Sequence, residues 1–320
     1  MIITLLLHHN YSTALIGYNN KWGRKSIHCL FNRFALFAAL VVLCLGEGQT
    51  QVETEIRKDS QLWLNKLDTA LVKYSFEASN DLVMPYRLFA PVERNRDLPL
   101  VIFLHGRGDR GADNGRKPWH KMGLFTNKYS ILSDDMQQQF PCYVLVPQCS
   151  DKTPNEEWAK WVGNSPETPF KGLGKDGSYQ MHERPSDSGK AALELIDHVM
   201  DEYNIDQDRI YIVGISMGGF GTWEFTARRP DLFAAAVPMA GFSDPRQLNR
   251  IDHIPYWIFH GSADKANPVE GSRTMYDLLR EGGAQVKYTE YEATGHSEAF
   301  QKAFLEKDLI PWIFAHKKAD

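Results

Sequence analysis

Three segments each place a side chain fit for acyl transfer just after a stretch that reads as a strand. Ser216 lies in Gly214-Ile215-Ser216-Met217-Gly218-Gly219, directly after the apolar run Arg209-Ile210-Tyr211-Ile212-Val213. A strand that ends in Gly-X-Ser-X-Gly and turns at once into a helix holds its serine on a strained turn with the hydroxyl exposed. The glycines are needed because strand and helix pass close to each other there. A helix is expected after the turn, over Phe220 to Arg229, stopped by Pro230. Its N-terminus aims backbone N–H groups at the serine and favours negative charge beside it.

A serine hydroxyl is a poor nucleophile until an imidazole takes its proton. Of the eleven histidines, His296 is the best placed, in Gly295-His296-Ser297 just beyond the alternating strand Gln285 to Tyr291. Catalytic groups collect at the carboxyl ends of strands in an open parallel sheet. The orienting acid should end the preceding strand, and Ile254 to Ser262 leads to Asp264. Asp252 precedes that strand and belongs at the opposite edge. His260, His198 and His316 read as structural or solvated.

An oxyanion needs donors, and the turn supplies the N–H of Met217. The apolar run Leu98 to Leu104 reads as a strand buried on both faces, followed by His105-Gly106-Arg107-Gly108-Asp109. That loop can add the N–H of Arg107, with His105 as an internal hydrogen-bonding residue that fixes it.

From about Val83 onward the chain resembles the α/β-hydrolase superfamily, and within it secreted esterases related to feruloyl esterases, polyhydroxyalkanoate depolymerases and prolyl-oligopeptidase-like predicted peptidases. The resemblance is carried by Leu104 to Asp109, Asp208 to Gly219, Phe259 to Asp264 and Gly295-His296, in the order serine, aspartate, histidine. It implies an α/β-hydrolase fold: a mostly parallel central sheet with helices on both faces, here preceded by an antiparallel hairpin. It further implies a serine carboxylic-ester hydrolase that works through an acyl-enzyme with Ser216, Asp264 and His296. A prolyl-oligopeptidase-like serine peptidase, or a phospholipase or thioesterase type of carboxylesterase, remains the alternative. No cofactor or metal is expected.

Composition suits one such domain, with 43% hydrophobic and 24% charged residues among 320. The apolar run Phe34 to Leu45 follows Lys21, Arg24, Lys25 and Arg33 and matches a signal-peptide core, too short for a comfortable membrane span. Residues 1–48 are therefore expected to be a long leader and 49–320 the catalytic domain, secreted or periplasmic; an uncleaved membrane anchor is the alternative. Without that leader 32 of 36 basic and 39 of 40 acidic residues remain, a net charge of −7. Such a balance disfavours nucleic acid and anionic membranes as partners; the resemblance implies a small or polymer-linked ester as the substrate. Cys142 and Cys149 flank one short strand and are too far apart in it to pair, so both should be free thiols.

The stretch 148–189 is rich in Gly, Pro and Trp and should form a loop or small cap over Ser216. Trp158 and Trp161 suit either a substrate-binding aromatic wall or the packing of that loop onto the body. Upstream, Glu53 to Asp68 reads as a short amphipathic helix. Leu71 to Phe76 and Val83 to Phe89 read as a hairpin turned at Ser79-Asn80-Asp81, capping one sheet edge.

Overall fold

The computed structural model describes residues 69–115, 125, 127, 129–151, 160–163 and 180–318. The expected leader, the expected helix Glu53 to Asp68, and most of the insertion 148–189 lie outside them.

Eight strands form one sheet: β1 (Val72–Glu77), β2 (Val83–Phe89), β3 (Leu98–Leu104), β4 (Tyr143–Pro147), β5 (Ile205–Ile215), β6 (Ala235–Met239), β7 (Tyr256–Gly261) and β8 (Val286–Tyr291). Their order is β1-β2-β4-β3-β5-β6-β7-β8, antiparallel from β1 through β4 and parallel from there to β8. The β1–β2 hairpin takes one edge, with Tyr74 stacked on Tyr86 and a turn that places Asp81 at φ 60°. Two-residue alternation sorts the strand side chains between two cores. Leu100, Ile102 and Leu104 of β3 face one way, Val101 and Phe103 the other.

Helices cover both faces. They are α1 (Asp134–Gln139), α2 (Asp187–Glu202), α3 (Met217–Arg228), α4 (Leu248–Ile251), α5 (Val269–Glu281), α6 (His296–Phe304) and α7 (Leu309–Phe314). Ala191, Leu195 and Val199 of α2, Phe220 and Trp223 of α3, and Met275 and Leu279 of α5 enter the first core. Phe300 and Phe304 of α6 join Leu309, Ile310 and Ile313 of α7 in the second. The strands in the middle are buried on both faces, which is why β3 reads LPLVIFL. Edge strand β8 keeps the polar alternation VKYTEY.

Two elements need a local account. α2 begins at Asp187, because the Ser186 hydroxyl accepts from Gly189 N–H at 3.0 Å and caps it. β6 carries Pro238 in the middle of the sheet, where proline usually argues against a strand. Its ladder to β7 registers only Ala236 with Tyr256 and Met239 with Phe259, so the proline falls in a gap in the pairing.

Candidate active site

Ser216 follows β5 and precedes α3 with φ 53° and ψ −116°, a backbone conformation that costs about 1–3 kcal/mol and must be imposed by its surroundings. The surroundings do this by close approach. A Cβ on Gly214 would lie 2.1 Å from Gly218 O, and one on Gly218 would lie 1.9 Å from Leu104 O. Ser216 N–H donates to Met239 O of β6 at 2.8 Å, and Ser216 O accepts the first helical bond from Phe220 N–H at 3.1 Å. The turn is thus tied to the strands on either side of β5.

His296 opens α6 directly after the loop from β8. Its Nε2 stands 2.8 Å from Ser216 Oγ and its Nδ1 2.5 Å from Asp264 Oδ2. A carboxylate only accepts, so Nδ1 carries the proton and Nε2 is left to accept from the serine hydroxyl. The edge of the Phe300 ring packs on the imidazole, 4.9 Å between centroids. Asp264 lies on the turn after β7, its side chain fully buried, with Oδ1 accepting from the N–H groups of Ala266 (2.8 Å) and Asn267 (3.0 Å). The two loops also hold each other. Ser262 N–H donates to Tyr291 O and Ala263 N–H to Thr294 O, both at 3.0 Å, while the Ser262 hydroxyl accepts from Ala293 N–H at 2.8 Å.

The loop after β3 runs alongside: a Cβ on Gly106 would sit 3.6 Å from Ser216 Cβ. His105 is buried within it, and its Nε2 accepts from Cys149 N–H at 3.0 Å. The proton is therefore on Nδ1, which donates to Gly106 O at 2.7 Å; Asp109 N–H donates to the same oxygen at 3.1 Å. Because the peptide is planar and trans, these two bonds turn the Arg107 N–H the opposite way. Met217 is the first residue of α3, directly after Ser216.

The prolyl oligopeptidase family model matches residues 187–258, the segment from α2 to β7. Poly(3-hydroxyalkanoate) depolymerase C of Paucimonas lemoignei is 24% identical over 212 residues, covering 66% of this chain and 40% of that protein. Acetylxylan esterase A of Emericella nidulans is 34% identical over 95 residues, 28% of this chain and 31% of its own. The chain thus spans less than half the length of these curated relatives. Among solved structures, a thermostable esterase superposes with a TM-score of 0.65 at 34% identity, covering 78% of this chain and 64% of that one. The chain has the α/β-hydrolase fold.

The described parts of the 148–189 insertion are firmly rooted on the body of this α/β-hydrolase fold. Gly163 N–H donates to Glu224 Oε1 at 2.9 Å, and Arg228 reaches from the same helix to Glu224 and to the carbonyls of His182 and Glu183. Met181 N–H donates to Asp244 at 3.0 Å. Trp158 lies outside the described residues. Trp161 has no exposed surface: its indole N–H donates to His105 O at 3.0 Å and its side chain packs where a Cβ on Gly221 would fall. Of its two roles open in the sequence, packing is the one it takes, and the substrate-wall reading is withdrawn for it. Cys142 and Cys149 are both buried and form no disulfide, and burial pushes the Cys142 thiol up to about 12.

Asp252 sits beside His253, 3.8 Å away, at the amino end of β7 and so at the edge remote from Ser216. His198 stacks on Phe76. His260 is fully buried in β7, as a structural residue should be, yet its Nε2 lies 3.3 Å from Asp264 Oδ2. Sequence reasoning missed that contact. Its signal is the spacing of four between His260 and Asp264 across the tight Gly261 turn, which folds the strand's last imidazole back under the carboxylate.

Proposed function

We propose that the chain is a serine carboxylic-ester hydrolase whose nucleophile is Ser216. The observation that carries this reading is the unbroken run Ser216 Oγ, His296, Asp264 at 2.8 and 2.5 Å, begun on a strained turn at the head of a helix. Ser216 Oγ attacks the ester carbonyl as His296 Nε2 takes its proton. Asp264 stabilises the resulting imidazolium, and the N–H groups of Met217 and Arg107 receive the oxyanion. His296 then gives the proton to the leaving alcohol, and a water activated in the same way releases the acid. Relatives named for poly(3-hydroxyalkanoate) and for acetylxylan favour an ester carried on a polymer. Trp158 is our candidate for an aromatic wall beside it.

Peptide-bond cleavage is the second reading, favoured by the prolyl oligopeptidase match over residues 187–258. A panel of short acyl, feruloyl, lipid and polymer-linked esters beside peptide amides separates the two. We expect ester turnover to dominate and Ser216→Ala to lower it by about 10⁴-fold or more with the fold intact. Preferred cleavage of amides would move the assignment to peptidase; near-native activity of Ser216→Ala would remove the nucleophile.

We also place the mature protein outside the cytoplasm, from the basic residues followed by Phe34 to Leu45 and from a similar protein of Arthroderma benhamiae named as secreted. Among the described residues no helix is long and apolar enough to cross a membrane. Mass spectrometry of the exported chain should show a new N-terminus near Gly46 to Gly48, and an intact one would favour the anchor.

A further inference from the structure

Asp264 has more partners than are needed to orient one histidine. Backbone N–H groups hold Oδ1, and Oδ2 faces His296 Nδ1 on one side and His260 Nε2 on the other, at 2.5 and 3.3 Å. Both His260 and Asp264 side chains are fully buried. His260 Nε2 lies equally 3.3 Å from Asn267 O. Both of its neighbours are acceptors, so this nitrogen carries a proton and shares it between them. On the far side of the ring, Nδ1 stands 2.7 Å from Ser272 Oγ of α5. Burial alone requires both nitrogens of this ring to be satisfied; what ties it to the site is that one of them is satisfied in part by the candidate acid.

We propose that His260 is a positioning residue of the site: its Nε2–H braces the Asp264 carboxylate opposite His296 and limits the negative charge which that carboxylate concentrates on the His296 N–H. The proposal rests on the Ser216, His296, Asp264 reading and adds a fourth group to it. Burial alone would push the Asp264 carboxyl up, but the contacts from His260, His296 and Asn267 N–H hold it well below the usual carboxylate range. It therefore stays ionised while the brace is in place.

The other charges packed around the pair are paired among themselves or exposed. Glu290 of β8 sits in register with His260, and its carboxylate accepts from Arg273 at 2.8 and 2.5 Å and from the Tyr288 hydroxyl at 2.6 Å. Arg273 also lies 3.5 Å from Glu270 on α5. On α6, Glu298 and Lys302 pair at 3.0 Å; after β6, Asp244 pairs with Arg246 at 2.6 Å. Lys265 is exposed on the Asp264 turn.

The test is the pH dependence of the rate at which a fluorophosphonate probe labels Ser216, measured on the full chain and on His260→Phe, His260→Gln and Ser272→Ala. Phenylalanine keeps the ring and removes the N–H, whereas glutamine keeps a donor at a similar reach. His260→Phe should slow labelling at pH 7 roughly tenfold and move the acid limb up by about one pH unit. The direction follows because a carboxylate left with a single imidazole partner stabilises its imidazolium to higher pH. His260→Gln should restore both the rate and the limb. Ser272→Ala leaves every atom of the site in place but removes the partner of Nδ1. It should give a smaller shift of the same sign, and it keeps the proposal testable if His260→Phe does not fold. A residue that only supports the fold would lower the melting temperature and leave the limb where it is. Acid limbs that coincide in all folded variants overturn the brace and leave the nucleophile assignment standing; a wild-type chain that never labels at Ser216 overturns both.

Discussion

The two ends of this sheet use the same side-chain types to different effect. At the carboxyl ends of β5, β7 and β8, a histidine and an aspartate converge on a serine. At the amino ends, Asp208, Asp231, His253, His316, Lys317 and Lys318 line a cavity of about 510 Å³. There the carboxylate of Asp208 is taken up by Lys317 at 3.1 Å, with both groups largely in water. His253 Nε2 is spent on Pro230 O at 3.1 Å, and His316 Nε2 is buried with no hydrogen-bond partner. A surface ion pair of this kind is worth little. At the other end each Asp264 oxygen is held, the ring tautomer of His296 is fixed, and the hydroxyl sits on a backbone that only close packing can maintain. Histidine beside carboxylate is common chemistry; a carboxylate that cannot turn, aimed at a nucleophile that cannot relax, is what distinguishes the carboxyl edge.

The comparison breaks most visibly at Asp264. Replacing it with asparagine keeps the size but offers an amide N–H where an acceptor is needed, so His296 loses the tautomer that accepts from Ser216. We expect kcat/KM at pH 7 to fall by about 10³–10⁴-fold, with an unchanged circular dichroism spectrum. A loss below tenfold would put Asp264 on the same footing as Asp208. Next in size is Gly218→Ala. Its Cβ would be driven against the Leu104 and His105 carbonyls, which are backbone and cannot swing away. A cost of about 3 kcal/mol in denaturant unfolding is expected, together with loss of labelling at Ser216.

Much of the carboxyl edge was legible in the sequence because its signals are local. The elbow, the His-Gly loop and the strand ends before Asp264 and His296 each declare themselves within ten residues, and parallel-strand geometry then sends them to one rim. The hairpin was legible for the same reason, with Asp81 at a turn that demands positive φ. Long-range facts were not. Nothing local says that β6 survives Pro238, because that depends on which neighbour's ladder has a gap there. Nothing local says that Trp161 lies beneath the loop after β3, 56 positions from the carbonyl it binds. His260 fell between the two cases: its burial was legible, its contact with Asp264 only through the turn.

Trp161 gives a smaller effect that sharpens the same contrast. Trp161→Phe keeps most of the packing and removes the N–H that fixes His105 O, on the peptide next to the one that carries the Arg107 N–H. Stability should fall by about 1–2 kcal/mol and kcat by roughly fivefold to tenfold, with KM little changed. If KM rises while kcat holds, Trp161 contacts substrate after all and the loop does not depend on it.

The smallest expected effect belongs to the amino edge. Burial lowers the pKa of His316, whose ring packs edge-on against Trp312 at 4.6 Å. In the unfolded chain the same imidazole takes its proton near pH 6.5. Through the window below that value the unfolded state binds more protons than the folded one. The contribution of His316 is therefore complete above about pH 6.5 and is lost as the pH falls toward the lowered folded value. Phenylalanine at this position retains the ring contact and has nothing to protonate. Between pH 7 and pH 5 the melting temperature of His316→Phe should fall by about 1–2 °C less than that of the wild type, while ester turnover at pH 7 stays the same. Parallel melting curves would mean that the buried imidazole pays no protonation penalty. A drop in turnover would be the more serious result, because it would couple the amino-edge cavity to Ser216 and dissolve the separation between the two ends of the sheet.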